Sequence, residues 1–224
     1  MLLLALTTAG FAAPPKGALP NSYANPSAVI ATELAFAKEA QVKGQWTAFA
    51  EYAAPDAVMF TPQMVWAQTW LKGRANPAVA VKWQPHTAWS SCDGSVVVTH
   101  GAWQRSGSTG YFTTIWKRQP DGKYKWILDH GDSLAAPLDT PEMLSALIAD
   151  CPAGRRGPPK KPVKIKFKDL PPLDPAKRSG QSDDGTMTWA VTVAADGARN
   201  LLVEWQKDGA RSPALIEEVA TEGK

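Results

Sequence analysis

The 224-residue chain carries 24 Lys+Arg against 21 Asp+Glu, a net charge of +3, with 44% hydrophobic and 9% aromatic residues. That composition excludes disorder throughout, and no stretch approaches the roughly 20 apolar residues that cross a bilayer, so no transmembrane span is expected. At about 100 to 200 residues per domain, the length allows one domain with an appendage or two small ones.

Residues 1–13 run from Leu2, Leu3 and Leu4 through Phe11 to small residues, and Gly10-x-Ala12 fits a small-x-small cleavage pattern. They read as a signal peptide, although no positive residue precedes Leu2, and an apolar start of this kind implies a periplasmic or secreted protein. The two cysteines, Cys92 and Cys151, are compatible with that compartment. In an oxidising environment they would close a loop; in a reducing one they would be two buried thiols, and spacing does not decide between these.

Asn25-Pro26 is a helix start, and Val29, Ile30, Leu34, Phe36 and Ala37 supply an apolar face up to Gly44. Trp46, Phe49, Ala50 and Ala53 then fall at helical spacing, with Pro55-Asp56 turning the chain into a strand over 57–61. From there the period becomes twofold. Strands are expected over 64–70, 83–91, 95–104, 110–119 and 123–130, with a short helix over 75–81, punctuated by Gly73, Asp93-Gly94, Gly107 to Gly110 and Asp121-Gly122. The sum is an α+β layer with helices packed on one face of a curved, largely antiparallel sheet.

Another short helix is expected over 139–150, starting at Thr140-Pro141-Glu142. Residues 152–178 hold nine basic and two acidic residues among seven prolines, so 151–182 reads as a basic, Pro/Lys-rich linker in which Val163, Ile165 and Phe167 alternate with lysine like a short exposed strand. Phe167 is the one aromatic among these charges, too few for the interleaved aromatics of a nucleic-acid surface, which argues against nucleic acid as a partner. Residues 183–219 read as a C-terminal β-hairpin segment. Ser182-Asp-Asp-Gly-Thr186 echoes Ser91-Cys-Asp-Gly-Ser95, which suggests either a partial repeat, with a hairpin of 186–194 and 200–206, or two unrelated hairpins with the same turn chemistry.

Gly101-Ala-Trp103, the run Gly110-Tyr-Phe-Thr-Thr-Ile-Trp116 and Asp121-Gly122 through Trp126 to Asp129 resemble the closing strands of the nuclear transport factor 2-like superfamily, in its SnoaL-like bacterial branch. Phe49-x-x-Tyr52-Ala-x-x-Asp56-Ala-Val58 and Leu71-Lys-Gly73-Arg74 are similar to its second helix and to the turn into its third. The resemblance covers about residues 27–133, which places the domain at 25–134. It implies a cone-shaped sheet with helices closing its concave face over a pocket, and dimerisation through the convex face. Members range from ketosteroid isomerase and dehydratases to plain binding modules, so the fold alone licenses no reaction.

Chemistry in such a cone would need acid and base groups in an apolar cavity. The candidates are His86, His100 and His130, with Asp129 and Tyr52 beside them. The histidine spacing carries no metal-ligand signature, the Gly-x-Ser-x-Gly and phosphate-loop patterns are absent, and no cofactor or metal is expected. Trp66, Trp70, Trp83, Trp89 and Trp103 are the candidate ligand-stacking residues, for a small apolar or aromatic molecule. Two readings follow: an exported binding or interaction module, or an isomerase, dehydratase or hydrolase working through pocket histidine and aspartate.

Overall fold

The computed structural model describes residues 24–151 and 165–221; the expected signal peptide and residues 152–164 of the expected linker lie outside them. Two helices, α1 (Pro26–Lys43) and α2 (Gln45–Tyr52), precede the strands β1 (Ala53–Phe60) and β2 (Met64–Trp66) and a short helix α3 (Ala67–Leu71). The meander β3 (Lys82–Ser90), β4 (Val96–Arg105), β5 (Ser108–Arg118) and β6 (Tyr124–Leu134) follows, then β7 (Ser145–Ile148). A second group of strands closes the chain: β8 (Lys177–Gln181), β9 (Met187–Val193), β10 (Arg199–Lys207) and β11 (Ala210–Val219).

The first ten elements, three helices and seven strands, build a mixed seven-stranded sheet, ordered β2-β1-β6-β5-β4-β3-β7, with the helices on one face. Within it β1 runs parallel to β6, and β7 parallel to β3. Pro55, which cannot donate to a ladder, falls in the interruption between the pairs Ala53↔Trp126 and Val58↔Leu128, so β1 tolerates it. The remaining strands form a separate antiparallel sheet, β11-β10-β9-β8.

Strand alternation sorts the large sheet's side chains into two layers. Thr99, Thr114 and Asp129 lie in one cross-strand row, and Thr99 bonds to Glu33 of α1, so this row faces the helices. His100, Thr113 and His130 form the next row, and all three bond to Glu217 of β11, so this row faces the small sheet. Val98, Ile115 and Leu128 on that second face are fully buried. The molecule is therefore three layers deep: helices, seven strands, four strands. The face on which homodimerisation was expected is covered by the chain's own C-terminal sheet.

Several elements differ from expectation for identifiable reasons. Residues 139–150 form no helix; the open edge of β3 recruits Ser145–Ile148 as an exposed parallel strand, overriding a local helix start. Residues 75–81 are irregular, and the short helix comes earlier, at Ala67–Leu71, so the strand expected over 64–70 is cut to three residues. Ile165 and Phe167 belong to no strand, Phe167 opening a 3-10 turn, whereas β8 begins at Lys177 inside the expected linker. The expected hairpin is the centre of a four-stranded sheet. On α1 the buried stripe is Val29, Glu33, Phe36 and Ala40, with Leu34 left 47% exposed.

Cys92 and Cys151 are joined in a disulfide with Cα atoms 5.2 Å apart, which ties the β3–β4 turn to the segment just after β7.

Candidate functional site

Between the helices and the large sheet lies a cavity. Its apolar wall is Phe36, Phe49, Val81, Trp83, Trp103 and Phe112, and Gln45, Thr114 and Asp129 bring polar atoms to it. Phe36 packs edge-on against Phe49 at 4.9 Å and against Trp83 at 4.8 Å, which fixes the wall as a contact network of rings. Trp103 can lie flat across β5 because its cross-strand partner is Gly110: a Cβ there would come within 2.5 Å of the indole.

Behind this wall Glu33, fully buried, receives three side-chain hydrogen bonds. Trp83 Nε1 donates to Oε1 at 2.7 Å, while Thr99 Oγ1 and Trp116 Nε1 donate to Oε2 at 2.6 and 3.0 Å. Burial pushes the Glu33 carboxyl above its ordinary range, and the bonds from Thr99, Trp83 and Trp116 pull the other way without cancelling it. Glu33 therefore locks α1 to β3, β4 and β5 behind the cavity wall.

Asp129 differs from Glu33 in having no hydrogen-bond donor to its carboxyl among the described residues, and it opens on the cavity. Burial, with the field of Glu33 second, raises it to about 7. It is a carboxyl poised to hold or release a proton near neutrality, set in an aromatic box.

At the cavity's mouth stand Phe60, Pro62, Arg105, Tyr111, Asp132 and Arg199. Arg199, from β10, lies over the Phe60 ring at 4.7 Å and donates from Nη2 to the Gly131 carbonyl at 3.1 Å. Its Nε is buried without a partner. Two guanidinium groups against one aspartate give the rim a positive bias.

The expected histidine site takes another form. His100 Nδ1 lies 3.0 Å from Glu217 Oε1, and His130 Nδ1 lies 2.8 Å from Oε2. Thr113 Oγ1 also donates to Glu217. Because a carboxylate only accepts, each histidine must carry its proton on Nδ1. Burial would raise Glu217, but the bonds from His100, His130 and Thr113 outweigh it and hold the carboxyl at about 2. This cluster sits between the two sheets, where His130 Nε2 is buried without a partner, so its present role is to fasten one sheet to the other.

The other candidates disperse. His86 stands at the irregularity of β3 between Pro85 and Thr87, its pKa lowered by burial and by His100. Tyr52 stacks on Phe36 at 5.0 Å and does not line the cavity. Of the five tryptophans, Trp83 and Trp103 line it. Trp66 lies under Arg178, Trp70 packs on Trp46 beneath Arg74, and Trp89 faces His100 on the far side of the sheet. Glu33 and Glu217 were not anticipated. Each occupies an apolar slot in its element's own period: Glu33 between Val29 and Phe36 on α1, Glu217 between Leu215 and Val219 on β11.

No family model matches the chain, and no curated protein matches it significantly. Among solved structures it is similar to a putative ketosteroid isomerase from Parabacteroides distasonis, with a TM-score of 0.39 and 18% identity over 51% of this chain and 97% of that one. It is likewise similar to a DUF3225-family protein of unknown function from Pectobacterium atrosepticum, with a TM-score of 0.39 and 13% identity over 53% of this chain and all of that one.

Proposed function

We propose that the protein binds a small, mainly apolar or aromatic molecule in the helix-capped cavity, with a polar group at Asp129 and an anionic end at the Arg105 and Arg199 rim. The observation that carries this reading is the unpartnered Asp129 carboxyl inside a wall of Phe36, Phe49, Trp83, Trp103 and Phe112. Asp129 is half-buried in an apolar cavity with no donor to its carboxyl among the described residues, and a ligand hydroxyl, or a ligand carbonyl when Asp129 holds its proton, would supply a partner while the rings cover the ligand's apolar body. The Cys92–Cys151 disulfide supports export to an oxidising compartment.

A suitable probe is 6-hydroxy-2-naphthoate, with its methyl ester as the neutral control, measured by isothermal titration calorimetry. The acid should bind saturably and about tenfold more tightly than the ester, equivalent to about 1.4 kcal/mol. Absence of saturable heat from either probe would remove the binding reading.

A second reading is favoured by the Asp129 pKa of about 7, which suits a general acid or base. In it, Asp129 takes a proton from carbon next to a ligand carbonyl. NMR would then show protein-dependent deuterium uptake at the α-carbons of 2-tetralone in heavy water, lost in Asp129→Asn; uptake unchanged in that variant would discard it.

A further inference from the structure

The small sheet repeats the large sheet's central meander strand for strand. In β3 and β4 the pairs are Ser90↔Val97, Trp89↔Val98, Ala88↔Thr99 and Thr87↔His100. In β8 and β9 they are Gln181↔Thr188, Gly180↔Trp189, Ser179↔Ala190 and Arg178↔Val191, each residue displaced by 91 positions. The β5–β6 ladder shifts register between Ile115 and Trp116. The β10–β11 ladder shifts between Val203 and Glu204, 88 positions on, which is the equivalent step. Strand order agrees as well, β6-β5-β4-β3 against β11-β10-β9-β8. Hairpins that share only turn chemistry would have no reason to share a bulge two strands away.

The turns correspond atom by atom. Asp93 Oδ1 accepts from Ser91 Oγ at 2.8 Å and from Ser95 N at 2.9 Å, and Asp184 Oδ1 accepts from Ser182 Oγ at 2.7 Å and from Thr186 N at 3.0 Å. Gly94 and Gly185 take φ of 67° and 71°, the left-handed conformation that both turns require.

The two turns also face each other reciprocally. Cys92 N donates to Thr186 Oγ1 at 2.9 Å, and Asp183 N donates to Ser95 Oγ at 2.8 Å. With the 91-residue displacement these are one bond made twice, once in each direction. His130 and Glu217 occupy equivalent positions, 87 apart on the last strand of each unit, and bond to each other. Reciprocal contacts and contacts between equivalent residues are the mark of a self-complementary, two-fold interface.

We propose that residues 177–219 are a second, helix-free copy of the β3–β6 meander, docked on the first about an internal two-fold axis. The chain thereby covers, with its own C-terminal copy, the sheet face that a second molecule would otherwise occupy. The covering copy also reaches the site, since it supplies Arg199 to the cavity mouth. The copy that keeps the helices keeps the cavity; the copy that lacks them serves as a built-in partner.

The test is native mass spectrometry of the full chain carrying a protease site within residues 152–164, before and after cutting. The disulfide lies wholly in the first fragment, so it does not tether the two. One chain per particle at micromolar concentration, and a one-to-one fragment pair after cleavage, are expected. Two chains per particle, separation of the fragments, or pairing of the first fragment with itself would overturn the proposal. A second measurement tests the symmetry: Ser95→Ala and Thr186→Val each delete one of the reciprocal bonds and should lower Tm by similar amounts, whereas a loss confined to one of them would contradict the two-fold relation.

Discussion

Two carboxyl groups on opposite sides of the large sheet, Asp129 of β6 facing the helices and Glu217 of β11 packed against the sheet's other face, are driven in opposite directions. Asp129 is raised from 3.8 to about 7 by burial and by Glu33. Between about pH 4 and 7 the folded state keeps a proton that the unfolded chain has released, so stability falls as pH rises through that window and the full cost is present above it. Asp129→Asn should therefore stabilise the protein at pH 8, by on the order of 2 to 4 kcal/mol, and change little at pH 4, as read from urea unfolding. Glu217 behaves conversely: lowered from 4.5 to about 2, it stabilises above pH 4.5, and that contribution is lost as pH falls from 4.5 to 2. Glu217→Ala strands His130 Nδ1 as an unpaired donor and leaves His100 Nδ1 and Thr113 Oγ1, 3.0 Å apart, only each other, and should cost about 3 kcal/mol at pH 7. The deficit should narrow as the pH drops toward 2; an equal deficit at pH 7 and pH 2.5 would show that the Glu217 carboxylate is not its source.

Elements with a sustained period were legible from the residues alone. The two N-terminal helices and β3 to β6 lie within a few residues of their expected limits, because alternation and Asp-Gly turns are local signals. The segment 139–150 was not, because what makes Ser145–Ile148 a strand is the vacant edge of β3, contributed by residues some sixty positions earlier. The same applies to α3, whose Ala67 and Leu71 are buried by tertiary packing and not by any strong local pattern. The disulfide follows β7 and holds it at that edge. Cys151→Ser should reduce stability by about 4 kcal/mol in the chain-entropy account of a loop this long. Amide exchange should quicken first at Ala146 to Ile148 and only later in β4 and β5; uniform acceleration would mean that the disulfide stabilises the fold globally without anchoring this strand.

For the molecule as a whole, the cavity follows from the helices being held over the sheet by Glu33 and its three donors, while the C-terminal sheet stiffens the other face through Glu217. Asp129 could be singled out from sequence as a carboxylate on the last strand of the meander, but its isolation could not, since that depends on which residues fail to reach it. Glu33 and Glu217 were hidden because an acid in an apolar stripe reads as an exposed interruption until its indole, hydroxyl and imidazole partners arrive from other strands. Closure of the sheet's second face by the chain itself also removes the basis for a homodimer there. Asp129 is a titratable carboxyl open to an aromatic cavity, and carboxyl carbon-13 NMR of the full chain, assigned with Asp129→Asn, reads its protonation directly. An Asp129 midpoint near pH 7 that moves when 6-hydroxy-2-naphthoate binds is the expected result; a midpoint near pH 4, indifferent to the probe, would overturn this reading of the cavity.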